Sequence, residues 1–280
     1  MIALERNRTE ATIPAAFRQP RLTTRSQLLA DIFFAGRISG KIEFDSGQWK
    51  PAKDRLKRDS RGKCAYCEAP TSLVAHGDVE HFRPKSIYWW LAFCFDNYLY
   101  SCQICNQTYK GDNFPISGAA AAAPAMPNAM PTGALLSDLL IALTHDPLLL
   151  DDAQLAALWD EEQADLPNPY FENPDQLFIY EVDSVNEEVW IRSAGGARAD
   201  RAMAAAHAFL GLNRPELLAE RYINYVQLEV FSKILAEPGI TPAIRTLSEA
   251  EVRRMQALNE PFVGMRRYFA RTLGLPRPPP

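Results

Sequence analysis

The spacing of four cysteines constrains this chain more than any other feature. Cys64 and Cys67 form one CxxC, Cys102 and Cys105 form another, and the intervals read C-x2-C-x34-C-x2-C. Two adjacent disulfides would suit an exported chain. The opening stretch, MIALERNRTEATIPAAF, instead has charges where the apolar part of an export signal would lie. A redox dithiol needs only one CxxC. Two CxxC knuckles are what a tetrahedral four-cysteine zinc site requires, because each presents two thiolates to one side of the ion. The fifth cysteine, Cys94 in LAFCFDN, reads as a small buried hydrophobe.

A chain of 280 residues, 47% hydrophobic and 23% charged, can bury a core as one large domain or two smaller ones. No apolar run reaches the roughly 18 residues that a membrane span needs. A soluble cytoplasmic protein with no membrane partner is expected. The net charge of -4 argues against a general nucleic-acid coat protein. Charge is nevertheless uneven. From Lys50 to Lys63 the chain carries seven Lys or Arg against two Asp. Such a run reads as a solvated helix face, although it leads directly into Cys64.

The flanking segments are mainly helical. TTRSQLLADIFFAGR has a Thr or Ser to cap it and apolar residues at helical spacing, and GQWKPAKDRLKRDS is a second helix. Residues 117–134, rich in Ala and Pro and without charge, read as a loop because three prolines interrupt them. DQLFIYEVD and EEVWIRS have the composition of two strands joined by SVN, a hairpin. RADRAMAAAHAFLGLN is a helix ended by Gly211. The next helix has Asn213 as its cap, Pro215 in its first turn and Gly239 beyond its end. A further helix opens with a capping box from Ser248 to Glu251. Tyr222, Tyr225, Leu228 and Phe231 form a core stripe, and His207 reads as structural. His145 reads as a loop or cap residue and His76 as a solvent residue.

Between the knuckles, GDVEHFRP is a short strand that carries Glu80 beside His81. DNYLYSC is another strand, and the second knuckle leads into Asn106, where a helix can start. This strand, strand, helix order resembles the HNH endonucleases and their ββα-metal fold. The matching residues are Cys64, Cys67, Glu80, His81, Asn97, Cys102, Cys105, Asn106 and Lys110. The phrases CAYCE, EHFRPK and CNQTYKGD are similar to the PtuB-type subgroup of bacterial Septu and retron anti-phage systems. The motif likeness covers about residues 60–115, with a weaker likeness through DPLLLDD and NPDQLFIYEVD.

The resemblance implies an α+β chain, mostly helical, with an embedded zinc-pinned HNH finger and a small β-hairpin in the C-terminal half. Residues 1–60 would be an N-terminal helical region and 61–116 the HNH core. Residues 117–134 would be the loop, and 135–280 a helical region that docks a partner. It implies a nuclease that hydrolyses DNA or RNA phosphodiester bonds, acting with an ABC-type ATPase (PtuA-like) in antiviral defence. A neutral imidazole can take a proton from water near pH 7, so His81 is the expected general base. Glu80 and Asn106 offer oxygens to a hard catalytic ion, Mg2+ or Mn2+. Asn stands where the family often has His, which favours such an ion over a soft one.

Asn97 would tether the loop that orients His81, and Arg83, Lys85 and Lys110 would contact phosphates. Adjacent residues of a regular strand face opposite sides, so Glu80 and His81 share a cleft only if the strand ends or bends there. Asp78, on the same face as Glu80, is an alternative ligand or a supporting group. The four-cysteine zinc would be scaffold, since it leaves no open position for water. A zinc module that binds nucleic acid or protein without cutting is the competing reading. It has no use for Glu80 or His81.

Overall fold

The computed structural model describes residues 1–71 and 76–278. Helix α1 (Arg21–Ser39) starts directly behind Pro20, so Thr23 and Thr24 lie inside it and no side chain caps it. Short 3-10 turns over 46–52 lead into helix α2 (Lys53–Asp59). Strands β1 (Asp78–His81) and β2 (Tyr98–Ser101) pair antiparallel, with Glu80 opposite Leu99 and His81 opposite Tyr98. A π-helix, Ile104–Lys110, follows the second knuckle. The expected strand, strand, helix order is therefore present.

Residues 117–133 carry no helix or strand, and helices α3 (Ala134–Ala142) and α4 (Asp152–Leu158) come next. The second hairpin joins β3 (Phe178–Asp183) to β4 (Glu188–Ser193), with Val182 opposite Val189. Four helices complete the described chain: α5 (Ala197–Leu210), α6 (Pro215–Ala236), α7 (Pro242–Met255) and α8 (Val263–Thr272). No helix among the described residues is long and apolar enough to cross a membrane.

Three apolar clusters hold these elements. Leu56 of α2 packs with Phe17, Phe95, Tyr98 and Tyr100, which seats α2 on β2. Leu29 and Ala30 of α1 pack with the segment Tyr88 to Cys94 and with Leu139, Leu155 and Trp159. Cys94 is thus buried as expected. The largest cluster joins Met1, the knuckle residues, Tyr180 and Ile191 of the hairpin, and α5 to α8. Leu228 is buried there, with Tyr222, Tyr225 and Phe231 packed against it.

Local expectations fail where a distant partner claims the residue. Asn213 does not cap α6, whose cap position is Arg214. The Asn213 side chain instead bonds both the N–H and the C=O of Ile191 at 2.9 Å, bracing β4. Ser248 opens no helix; it sits inside α7, which starts at Pro242 with Thr241 as its cap. His207 is exposed on α5, so its apolar neighbours do not make it structural. Gly211 does end α5, at a φ of 57°, and a Cβ there would lie 2.5 Å from the Tyr109 ring. Gly211→Ala therefore meets both a left-handed backbone and a steric clash. We expect a loss of about 1–3 kcal/mol, read as a lower urea midpoint at unchanged slope.

Candidate functional site

The 34 residues between the knuckles must return the chain to its start. Ala65 N–H donates to Tyr100 C=O at 2.8 Å, which sets the first knuckle beside β2. Strand β2 ends one residue before Cys102. As a result the sulfurs of Cys64, Cys67, Cys102 and Cys105 all lie within 4.8 Å of one another, three of these residues buried. Cys67 Sγ and Cys102 Sγ are 4.0 Å apart. A tetrahedral ion with metal–sulfur bonds of about 2.3 Å needs sulfurs about 3.8 Å apart, so the cluster could hold a metal such as zinc. All four are free cysteines.

Two arginines of the C-terminal half attend this cluster. Arg214 Nη1 lies 3.5 Å from Cys105 Sγ. Burial works against its charge, but the Cys105 and Cys67 sulfurs outweigh that and hold its pKa above the ordinary value. Arg221 is 1% exposed, and its Nη1 and Nη2 have no hydrogen-bond partner among the described residues. Burial lowers its pKa, opposed by Tyr180, Cys67 and Glu68. Four thiolates around a divalent ion carry a net double negative charge, which two guanidiniums offset. Glu68, in the first knuckle, accepts from Gly264 N–H at 2.9 Å and pairs with the Met1 amine, tying the knuckle to α8.

Beside the cluster lies a cavity of about 410 Å3. Glu80, His81, Asp78, Asn106 and Lys85 all line it. β1 ends at His81, so the adjacent Glu80 and His81 can both face the cavity. The His81 ring is only 7% exposed. Its edges meet the Trp49 and Tyr98 rings, at centroid separations of 4.9 and 5.0 Å. Nε2 lies 3.0 Å from the Ala92 carbonyl oxygen. A carbonyl only accepts, so Nε2 carries the proton and Nδ1 keeps the lone pair. Burial, with Lys85 and Lys110 nearby, lowers the ring's pKa to about 3. The imidazole is neutral at pH 7.

Asn97 is fully buried and grips the backbone of Arg83. Its Oδ1 accepts from Arg83 N–H at 2.8 Å, and its Nδ2 donates to Arg83 C=O at 2.9 Å. Phe82 N–H also donates to Asn97 C=O at 2.8 Å. The chain leaving His81 is therefore clamped on both sides, as a tether requires. On the π-helix, Gly111 N–H bonds to Asn106 C=O five residues back, at 2.7 Å. π turns recur at functional sites.

Asp78 Oδ2 accepts from Asn106 Nδ2 at 3.2 Å and from Gln107 Nε2 at 2.8 Å, so the alternative ligand stands beside Asn106. Glu80 is more enclosed. Its Oε1 lies 2.7 Å from Lys110 Nζ, an ion pair that lacks hydrogen-bond geometry, and accepts no hydrogen bond among the described residues. Burial, set against the Lys110 charge, raises its pKa to about 7.

Two expected phosphate contacts are corrected by burial. Lys110 is completely enclosed and donates to His81 C=O at 3.0 Å as well as pairing with Glu80. Arg83 is 2% exposed; its Nε donates to Glu162 at 2.6 Å and its guanidinium lies under the Trp159 ring. Neither lines the cavity. Lys85 does line the cavity, with its ammonium 5.3 Å from the Trp49 ring. His76 is exposed, as expected.

Sequence reasoning missed Trp49, Lys50 and Lys53, which line the cavity with Lys85. The signal was the basic run, read there as a solvated face. The cavity thus brings three lysines together with carboxylate and amide oxygens. The first suit an anion and the second a hard cation.

The chain is similar to PtuB. Over 89 residues it is 36% identical to the Septu protein PtuB of Bacillus mycoides (strain KBAB4), a match covering 27% of this chain and 30% of that protein. This bears out the PtuB-type resemblance read from CAYCE, EHFRPK and CNQTYKGD. The chain thus spans about 30% of the length of the curated relative it matches. No protein-family model matches the chain, and no solved structure matches it.

Three outcomes follow from the geometry. Metal analysis should find about one zinc ion per chain, lost in Cys102→Ser. Arg214→Ala should release zinc faster to a chromogenic chelator, with Arg214→Lys retaining most of the wild-type rate. Equal release by all three proteins would remove Arg214 from the metal's environment. For His81, long-range proton–nitrogen spectra should show the Nε2–H tautomer with no titration above about pH 5.

Proposed function

We propose that this chain is a metal-dependent nuclease of the HNH type, acting as a component of an anti-phage defence system. The observation that carries this reading is the convergence of His81, Glu80, Asp78 and Asn106 on one cavity that also presents Lys50, Lys53 and Lys85. Phosphodiester hydrolysis needs those two sets of groups together. The similar Bacillus protein is named for a Septu system, which supports the setting.

In this reading the nucleic-acid phosphate rests against the three lysines. His81 Nδ1 takes the proton of the attacking water while Nε2–H stays on the Ala92 carbonyl, and that bond keeps the ring from turning. Asn97 holds the following backbone, so the imidazole keeps its aim. Glu80, Asp78 and Asn106 supply the oxygens that would hold Mg2+ or Mn2+. Such an ion, when bound, relieves charge at the phosphate. Lys110 steadies the buried Glu80 carboxylate and His81 C=O from behind. Zinc on the four cysteines is scaffold, contributing on the order of 10 kcal/mol to a unit with little core of its own.

A PtuA-like ABC-type ATPase would be the protein partner. The exposed Ile223, Val230, Ile244 and Leu247 of α6 and α7 offer it an apolar face.

One observation favours the second reading, a zinc module that binds without cutting. Glu80 is already paired with Lys110, and a module of that kind needs no free ligand there. The two separate with His81→Ala, compared with wild type on plasmid and RNA in Mg2+ and Mn2+, alone and with the ATPase. The nuclease reading expects cleavage to fall about 100-fold or more while zinc content and far-ultraviolet circular dichroism are retained. Equal cleavage by both proteins would take His81 out of the mechanism.

A further inference from the structure

A second, larger cavity of about 780 Å3 lies on another side of α2. Its charged walls are Arg6, Arg55, Arg58, Arg61 and Arg267, against Glu5 and Asp59 alone. This is a strongly basic enclosure in a chain of net charge -4. The arginines are not equivalent. Arg6 is spent on the fold: it donates to Phe95 C=O at 2.6 Å and Tyr98 C=O at 2.8 Å and lies between the Phe95 and Tyr170 rings. Arg55 pairs with Asp59 at 2.7 Å. Arg58 and Arg61 are exposed and form no ion pair among the described residues. Arg267 uses Nε on Gln256 C=O at 3.2 Å and leaves its Nη groups free of any ion pair there. By contrast, Arg192, Arg198, Arg201, Arg253 and Arg254 elsewhere on the C-terminal half all have carboxylate partners.

A second observation points to a ligand. Arg6 is 6% exposed, yet its Nε has no hydrogen-bond partner among the described residues. The same holds for the buried Arg55 Nε and Asp59 Oδ2. Three orphaned polar atoms at the wall of one cavity are costly unless water or a polar ligand completes them. Guanidinium forks suit phosphate oxygens, which they bind two bonds at a time.

The place of the cavity decides which phosphate. Lys53 of α2 lines the first cavity, whereas Arg55, Arg58 and Asp59 of α2 line the second. At about 100° per residue, Arg55, Arg58 and Asp59 lie roughly 120–160° round the helix from Lys53. One short helix therefore turns a basic face to each cavity. A helix is about 10 Å across, a distance that a nucleic-acid strand covers in about three nucleotides.

We propose that this arginine cavity is a second phosphate-binding site, which holds the backbone of a nucleic-acid strand whose neighbouring phosphates occupy the first cavity. The proposal rests on the nuclease reading for its substrate class, but binding can be tested without cutting. It also accounts for an acidic protein keeping a basic run before Cys64: five of the run's seven cations line the two cavities.

The test is equilibrium binding of fluorescein-labelled single-stranded DNA and RNA to the full chain at several salt concentrations, with no divalent metal added. The variants are Arg58→Gln/Arg61→Gln and the same pair with Arg267→Gln. The pair alone serves if loss of the half-buried Arg267 disturbs folding. Arg192→Gln/Lys233→Gln removes the same charge as the pair from exposed positions elsewhere. The proposal expects the Arg58/Arg61 pair to weaken strand binding about tenfold or more, and to flatten the salt slope by about 1 per arginine. The Arg192/Lys233 control should stay near wild type. Hydrolysis of bis-(p-nitrophenyl) phosphate, too small to reach the second cavity, should be unchanged.

Equal weakening by the pair and the control would reduce the effect to net charge and overturn the proposal. So would unchanged strand binding in the pair, even if His81→Ala abolishes cleavage. Loss of AMP or ATP binding in the pair, with strand binding intact, would give the cavity to a free nucleotide and overturn the strand assignment. Weakened strand binding in a protein that never cuts would uphold this proposal while the nuclease reading fails.

Discussion

Four sulfurs that must meet at one point organise the rest of this molecule. Each CxxC can bring two of them together by local geometry, but joining the pairs requires the intervening chain to go out and return. The β1–β2 pairing does this, and the Ala65–Tyr100 hydrogen bond lays the first knuckle alongside the returning strand. The cavity beside the cluster inherits its shape from that return. His81 lies at the end of the outgoing strand and Asn106 just beyond the second knuckle. A cluster that gathered metal would also gather negative charge. That explains why Arg214 and the fully buried Arg221 lean toward it from the C-terminal helices. The sulfur cluster joins the two halves electrostatically as well as sterically.

Burial sets the chemistry of the cavity. The same low-dielectric surroundings push the His81 pKa down to about 3 and the Glu80 pKa up to about 7, because each loses its charged form's hydration. Lys110 answers this from behind the cavity, with one contact to Glu80 and one to His81 C=O. Asn97 and Arg83 do related work behind the site. Asn97 clamps the Arg83 backbone, and the Arg83 side chain reaches Glu162, so the segment after His81 is tied both to β2 and to the region after α4. A ring with one nitrogen bonded to a carbonyl and its flank clamped in this way has little freedom to turn.

The basic run before Cys64 acquires its meaning from α2. Leu56 points into the apolar cluster under β2 and fixes the helix's rotation. That rotation sends Lys53 toward one cavity and Arg55 and Arg58 toward the other. A single buried leucine thus sets which way the charges of α2 face.

Read alone, the sequence determined whatever depends on short spacing. The paired CxxC motifs, the Glu80–His81 step, the second hairpin and the glycine that ends α5 were all legible, because each is set by residues within a few positions. Cys94 and the stripe through Leu228 were legible from apolar neighbours. Tertiary structure alone decided how charged and polar side chains were used. Lys110 and Arg83 look like free cations in sequence, yet their partners Glu80 and Glu162 lie 30 and 79 positions away in the chain. Asn213 and Ser248 have the composition of helix caps, but β4 claims the first and an earlier start to α7 absorbs the second. The physical reason is common to all of them. Burying a polar group is costly unless it is paired, and its partner is chosen by which surfaces the fold brings together, a choice that local spacing does not encode.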